Sequence, residues 1–234
     1  HLSLRRQRQM CIRDRRRRLV PIAEIPKVMK DAVLAIEDAR FYSHGGVDYI
    51  GVVRAAVSNL GGSINQGAST ITMQVARNVY LSSERTYTRK IYEILLTFKL
   101  EHLLSKDQIL EIYMNQIFLG HRAYGFAAAS ETYFGKPLKD ITIAEAAMLA
   151  GLPKAPSANN PFNNFKRAQQ RQLYIVDRMV DAGFITAEQG KAAKEEKIVL
   201  RRGANSVITS TGNVDDSGNS QSVHAEFVLS LIHI

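Results

Sequence analysis

Residues 31–46 read DAVLAIEDARFYSHGG and predict an amphipathic helix that carries two adjacent carboxylates. The apolar residues Val33, Ile36 and Phe41 recur near helical spacing, and Gly45–Gly46 is a helix stop signal. Glu37 lies at the edge of this apolar stripe, where partial loss of water favours the neutral carboxyl and raises its pKa. The stretch therefore predicts a helical fold and a glutamate suited to acid or base chemistry. A glutamate on an ordinary helix surface fits the same pattern.

Helical signals continue along most of the remaining chain. Ser/Thr-x-x-Gln/Glu capping boxes predict three helix starts, and amphipathic runs predict two more helices. These are the boxes at Ser105, Thr142 and Thr186 and the runs 88–104 and 166–182. In the first run, Ile91, Leu95 and Phe98 share one stripe. Alternation typical of strands is scarce before Ile198, so the predicted fold class is mainly α.

The basic surplus of the chain is local. The 234 residues include 31 Lys and Arg against 22 Asp and Glu, a formal net charge of +9. Most of this surplus comes from the arginines of residues 1–18, so the rest is close to neutral, which argues against a nucleic-acid-binding module. The sequence contains no run of 18 apolar residues, so it predicts no membrane-spanning helix. The single cysteine, Cys11, excludes a disulfide framework and a cysteine-based metal site.

A second polar stretch, QGASTITMQVARN at residues 66–78, combines small and hydroxyl residues with basic side chains in and after it. The basic side chains are Arg77, Arg85, Arg89 and Lys90. Guanidinium groups match phosphate oxygens in a bidentate way, so this set is suited to a diphosphate. The spacing is not that of a Walker loop. A Ser- and Thr-rich loop with solvated arginines remains an alternative.

Glu93 follows Lys90 by three residues and Arg89 by four. One interpretation is a surface ion pair on a helix, which contributes about 0.3–0.5 kcal/mol. The other is an acid that stays ionised among cations and orients them on a phosphate. The spacing leaves both open.

Five segments follow one another between residues 16 and 197. They are EDARFYSHGG (37–46), GASTITMQ (67–74), RKIYE (89–93), KDQILEIYMN (106–115) and AAMLAGLPKAPSANNP (146–161). Together and in this order they resemble the motifs of the peptidoglycan glycosyltransferases, glycosyltransferase family 51. The closest resemblance is to the glycosyltransferase domain of class A penicillin-binding proteins of the 1A type.

This resemblance implies a lysozyme-like, mainly α fold of two lobes, with the active cleft between them and a smaller lobe that dips into the membrane. It implies an inverting glycosyltransferase that polymerises lipid II into β-1,4-linked glycan with release of undecaprenyl diphosphate. The implied partners are lipid II, the growing glycan strand, the periplasmic face of the bacterial inner membrane and other cell-wall synthesis proteins, with no nucleic acid. No cofactor is required, and a Mg or Mn ion on the diphosphate would be shared with substrate because no cluster has metal-ligand spacing.

The resemblance also implies roles for individual residues. Glu37 is the general base that takes the proton from the acceptor 4-hydroxyl, and Glu93 lies among the cations at the donor diphosphate. The implied substrate-binding residues are Asp38, Phe41, His44, Ser69, Thr70, Gln74, Arg77, Asn78, Arg85, Arg89 and Lys90. Lys106, Glu111, Tyr113 and Asn115 are expected to support the fold. Met73 departs from the family, which usually has glutamine there, so we expect a change in donor affinity rather than loss of activity.

Three regions are expected along the chain. Residues 1–14 are interpreted as a non-native or disordered basic tail, and residues 15–197 as the glycosyltransferase domain. Residues 198–234 are interpreted as a linker toward a transpeptidase domain that is missing here, with the last residues non-native, and the family's membrane anchor is also expected to be absent. The alternatives are a lysozyme-like hydrolase or lytic transglycosylase and a basic membrane- or nucleic-acid-binding module.

Overall fold

The computed structural model describes residues 16–17, 19–53, 69–80, 87–202 and 206–209, and these are mainly helical. The helices are α1 (Lys27–Glu37), α2 (Ile71–Tyr80), α3 (Tyr87–Leu103), α4 (Lys106–Gln116), α5 (Phe126–Tyr133), α6 (Ile143–Ala150), α7 (Phe165–Asp181) and α8 (Ala187–Glu195). Residues 49–53 are also helical. The strands are β1 (Arg16–Arg17) and β2 (Ala123–Tyr124), which pair in parallel, and β3 (Val199–Arg202) and β4 (Ser206–Thr209), which pair antiparallel. Within these ranges, no helix is long and apolar enough to cross a bilayer.

The predicted mainly α fold class is confirmed, and its core is built around α6. Every residue of α6 from Ala144 to Ala150 is buried, and the helix packs against α1 and α7. Its sequence IAEAAMLA explains this position, because alanines allow neighbouring helices to approach closely. All three predicted capping boxes are present, at Ser105, Thr142 and Thr186. These local signals therefore gave the right helix starts.

The prediction for residues 31–46 was wrong in one respect. The helix ends at Glu37 and not at Gly45–Gly46, and a short 3-10 turn, Phe41–Ser43, follows it. Asp38 leaves the helical conformation with φ −162° and ψ 76°, and its carboxylate is bound by His44 and by the distant Ile71 amide. Glu37 is consequently the last residue of α1 rather than a residue in mid-helix.

Helix α4 supports the fold as expected, and it ties the N-terminal segment to α2, against which it packs. The Asn115 side chain accepts a hydrogen bond from the Val20 amide and donates one to the Val20 carbonyl, both at 2.9 Å. The Glu111 carboxylate accepts from the Ile22 amide at 2.7 Å. These bonds satisfy backbone groups that no regular element would pair.

Candidate active site

Glu37 lies half-buried where α1 meets α2. Gln74 of α2 donates a hydrogen bond from Nε2 to Oε2 of Glu37 at 2.7 Å. Burial raises the pKa of Glu37, while the Gln74 hydrogen bond and then the charges of Arg171, Lys154 and Arg77 lower it. The direction of the net change is upward, as expected from the sequence. Such a carboxyl is suited to take up a proton near neutral pH.

Asp38 joins the first and second sequence motifs. Both of its oxygens lie 2.9 Å from Nε2 of His44, and Oδ2 also accepts from the Ile71 amide, at the start of α2, at 3.2 Å. The Nδ1 atom of His44 accepts from the Gly46 amide at 3.1 Å, so the ring proton is on Nε2. The Thr70 hydroxyl donates to the Gly46 carbonyl at 2.6 Å. This network fixes α2, and with it Gln74, against the end of α1.

We expect Asp38→Asn to lower the free energy of unfolding by about 1–3 kcal/mol, because the amide nitrogen that replaces one carboxylate oxygen would face the Nε2–H of His44, donor to donor. A change of His44 tautomer would restore one bond and break the bond from Gly46. Urea unfolding followed by circular dichroism measures the effect. Asp181→Asn is the matched control, since the Asp181 side chain is 63% exposed and forms a surface ion pair with Arg178 at 3.3 Å. Equal stability of both variants would contradict the network.

A further set of contacts is centred on Glu101 and Lys106. Glu101 of α3 accepts hydrogen bonds from the Thr72 hydroxyl at 2.5 Å and from Nζ of Lys106 at 2.8 Å. The same Lys106 Nζ lies 4.4 Å from the centre of the Phe41 ring. Phe41 is 1% exposed, so its side chain lies in the core, and its contact with substrate stays a prediction. Its part in the site is to support the turn between Asp38 and His44.

The predicted cation set is only partly described. Lys90 Nζ pairs with Glu93 Oε1 at 2.6 Å, and Glu93 is 1% exposed. The Lys90 side chain is 47% exposed, so it can meet a ligand while it neutralises the buried acid. Arg77 and Arg89 are half-buried and Asn78 is exposed. Arg85 lies outside the described residues.

The other predicted binding residues differ in how accessible they are. Ser69 is half-buried, whereas Thr70, Gln74 and Asp38 are buried. Thr70 and Asp38 are used in the network that orients α2, and Gln74 binds Glu37. Met73, where the family usually has glutamine, is 5% exposed, so its side chain is buried away from solvent.

Sequence reasoning missed two cations near Glu37. Lys154 lies within the fifth motif, and its position after Pro153 was the available signal. Arg171 lies on α7 and packs close to Gly151: a Cβ added at Gly151 would lie 2.8 Å from Cγ of Arg171. Nothing in the sequence separates Arg171 from Arg167 and Arg178 on the same helix. Both cations lower the pKa of Glu37.

Comparisons with known proteins place the chain in a family. Residues 5–180 match the protein family described as transglycosylase. A protein of Cupriavidus necator named as a candidate transglycosylase is 61% identical over 182 residues, which cover 78% of this chain and 79% of that protein. Penicillin-binding protein 1A of Neisseria flavescens is 56% identical over 190 residues, 81% of this chain and 24% of that protein.

A solved structure also matches. The crystal structure of penicillin-binding protein 1A from Haemophilus influenzae shares 31% sequence identity with a TM-score of 0.50. The match covers 81% of this chain and 19% of that chain. The sequence therefore spans about a quarter or less of the penicillin-binding proteins that it matches, and most of the Cupriavidus relative.

Proposed function

The chain belongs to the transglycosylase family, and we propose that it carries out the glycosyltransferase reaction of peptidoglycan synthesis on lipid II. In this reaction, disaccharides are joined into β-1,4-linked glycan and undecaprenyl diphosphate is released. The observation that carries the proposal is the half-buried carboxyl of Glu37, which has a raised pKa and a fixed hydrogen bond from Gln74. A base with these properties is what activation of a sugar hydroxyl requires.

The proposed step is a direct displacement. Glu37 takes the proton from the acceptor 4-hydroxyl while that oxygen forms a bond to the anomeric carbon of the donor. The bond between this carbon and the diphosphate oxygen breaks, and the diphosphate leaves with the electron pair. The anomeric centre is inverted, and no covalent sugar–enzyme intermediate forms. Because Glu37 must be ionised to act, the rate falls as pH drops through its raised pKa.

Positive charge supports departure of the diphosphate. Arg77, Lys154 and Arg171 act electrostatically on Glu37, so a strongly negative leaving group beside the base meets cations from three parts of the chain. Lys90, held by Glu93, is the proposed further contact to the donor diphosphate. Lysozyme-like hydrolases that cut finished glycan have no diphosphate to stabilise, so these cations favour the synthetic reaction.

In the proposed reaction, basic side chains of the protein stabilise the departing diphosphate. Within the described ranges, no group of three His, Cys, Asp or Glu side chains is arranged to hold a metal ion. A Mg²⁺ or Mn²⁺ ion on the diphosphate would therefore take most of its ligands from substrate and water.

We propose that the chain acts at the periplasmic face of the bacterial inner membrane, where lipid II is embedded, together with other cell-wall synthesis proteins. Large apolar side chains on residues 49–53 and on α3 support this location. Tyr49, Ile50 and Val53 are 63–67% exposed, and Ile91 and Leu95 are 60% and 58% exposed. Exposed apolar side chains grouped in this way are typical of surfaces that meet lipid or a partner protein.

The test is incubation of the purified chain with labelled lipid II, in detergent and in vesicles, with products separated by length. We expect long glycan and stoichiometric release of undecaprenyl diphosphate. Lipid II without the acceptor 4-hydroxyl is the matched substrate control, and we expect it to give no polymer on its own. Cleavage of finished glycan without extension of lipid II would contradict the proposal and favour a lytic enzyme.

A further inference from the structure

A buried hydroxyl close to Glu37 has no hydrogen-bond partner among the described residues. It belongs to Tyr113 of α4, which is 1% exposed. Most buried hydroxyls in native proteins are paired, because an unpaired one loses its bonds to water without compensation. By contrast, the hydroxyl of Tyr133, a second fully buried tyrosine, donates to the Leu119 carbonyl at 2.7 Å and accepts from Asn160 at 3.1 Å. The unpaired state of Tyr113 is thus a cost that the fold alone does not explain.

The position of Tyr113 relates it to the base. Helix α4 packs against α2, which carries Gln74 and Arg77. The charges that act on the Tyr113 phenol are those of Glu37 and Arg77. Burial and the Glu37 charge raise the pKa of Tyr113, so the phenol keeps its proton and is a neutral donor at any pH at which Glu37 works. Since Tyr113 is buried and Glu37 half-exposed, the phenol lies on the protein side of the carboxyl.

The hydrogen bonds of Glu37 leave room for this donor. Gln74 occupies Oε2, and no described residue donates to Oε1. In the part of the chain that the structure describes, the titratable and charged groups that act on Glu37 are Arg77 of α2, Tyr113 of α4, Lys154 after α6 and Arg171 of α7. Of these four, Tyr113 is the uncharged donor, and its hydroxyl, like Nε of Arg171, is buried without a hydrogen-bond partner among the described residues.

We propose that Tyr113 is a positioning residue whose hydroxyl donates to Oε1 of Glu37 when that carboxyl is ionised, after a rotation of the Glu37 side chain. Gln74 and Tyr113 then hold one carboxylate oxygen each and direct a lone pair at the acceptor hydroxyl. The bond forms with the ionised carboxylate, so it keeps Glu37 deprotonated to lower pH. The proposal rests on the proposed function, because it assigns the partner of the base in that reaction.

The test is Tyr113→Phe, measured as the rate of glycan synthesis against pH. We expect the acid limb of the profile to move up by about half a unit to one unit, which is about a three- to tenfold lower rate on that limb. The KM for lipid II should not change, because Tyr113 does not reach solvent or substrate. The melting temperature should stay the same or rise, because the variant removes an unpaired buried hydroxyl.

Tyr133→Phe is the matched control. It makes the same chemical change at a tyrosine that is 0% exposed, but its hydroxyl is paired with Leu119 and Asn160. We expect a lower melting temperature and an acid limb at the parent position. An equal shift of the limb in both variants would overturn the proposal, as would a Tyr113→Phe variant with an unchanged limb or with a uniform loss of rate and stability.

A second readout does not depend on turnover. Carbon-13 NMR of the Glu carboxyls, with the Glu37 signal assigned from Glu37→Gln, gives the pKa of Glu37 directly. We expect Glu37 to titrate at higher pH in Tyr113→Phe than in the parent and at the parent value in Tyr133→Phe. This shift in a chain that makes no glycan would support the positioning of Glu37 while the proposed function fails. Normal glycan synthesis without the shift would overturn the Tyr113 proposal and leave the function in place.

Discussion

Glu37→Gln is expected to lower the rate of glycan synthesis by about 10²–10⁴-fold at pH values above the raised pKa of Glu37, since an amide cannot accept the proton of the acceptor hydroxyl. Glutamine keeps the shape of the side chain, and its oxygen can still accept from Gln74 Nε2. Binding of lipid II should therefore change little. The measurement is the initial rate with labelled lipid II, and a rate within threefold of the parent would remove Glu37 from the role of base.

The same variant should be more stable than the parent at neutral pH. The native pKa of Glu37 is raised, mainly by burial, so its ionised form costs stability above that pKa. Glutamine removes this cost, and the melting temperature should rise. As pH falls through the raised pKa, Glu37 of the parent takes up a proton in the folded state and the difference should disappear. A lower melting temperature of Glu37→Gln at neutral pH would contradict the sign.

Glu188→Gln is the control, because the pKa of Glu188 is lowered whereas that of Glu37 is raised. Glu188 is fully exposed in the first turn of α8, and hydrogen bonds to its own backbone amide and to Thr186 lower its pKa. The same change from carboxylate to amide should leave the rate of glycan synthesis unaltered and should not raise the melting temperature at neutral pH. Stabilisation by both variants would point to a general effect of removing negative charge.

What could be predicted from the sequence was mostly local. The boxes at Ser105, Thr142 and Thr186 depend on residues three positions apart, and each forms as expected. The end of α1 could not be predicted in the same way. Asp38 leaves the helical conformation, and its carboxylate is bound by His44 and by the Ile71 amide, which lies 33 residues away. Apolar spacing through Phe41 indicated a longer helix and gave no hint of that bond.

Side-chain direction is the second limit. The stripe of Ile91, Leu95 and Phe98 on α3 faces outward, with exposed fractions of 60%, 58% and 43%, while Glu93 and Thr97 are buried. Amphipathic spacing identified the helix but could not tell which face packs. The burial of Glu93 also means that its pair with Lys90 is more than a surface ion pair, the first of the two alternatives that spacing left open.

The sequence motifs identified those polar side chains of the site that lie within the first two motifs. Glu37 of the first motif and Gln74 of the second come together in the structure, and Asp38, His44 and Thr70 join those motifs. The surrounding cations come from later in the chain. Lys154 and Arg171 reach Glu37 only because α6 and α7 pack against α1, which is a tertiary result. The buried hydroxyl of Tyr113 was expected to support the fold, and its lack of a partner is visible only in three dimensions.

Gly46→Ala should lower the free energy of unfolding by about 2–4 kcal/mol, from left-handed backbone strain and overpacking together. Gly46 has φ +94°, and an added Cβ would lie 2.7 Å from Thr97 Cγ2 and 2.9 Å from Glu101 Cγ on α3. Its carbonyl accepts from Thr70, so any shift of Gly46 also moves the start of α2 and Gln74 with it. Glycan synthesis should therefore fall even in the fraction of the variant that remains folded.

The adjacent glycine is the control for this change. Gly45 is exposed, its φ is outside the left-handed region, and an added Cβ has no heavy atom within 4 Å. Gly45→Ala should change stability by no more than about 0.5 kcal/mol and should leave glycan synthesis intact. Urea unfolding and the lipid II assay on both variants give the comparison. Similar losses in both would mean that the turn needs two glycines for backbone freedom, whereas a loss confined to Gly46→Ala would show that close packing against α3 holds the base and its partner helix in register.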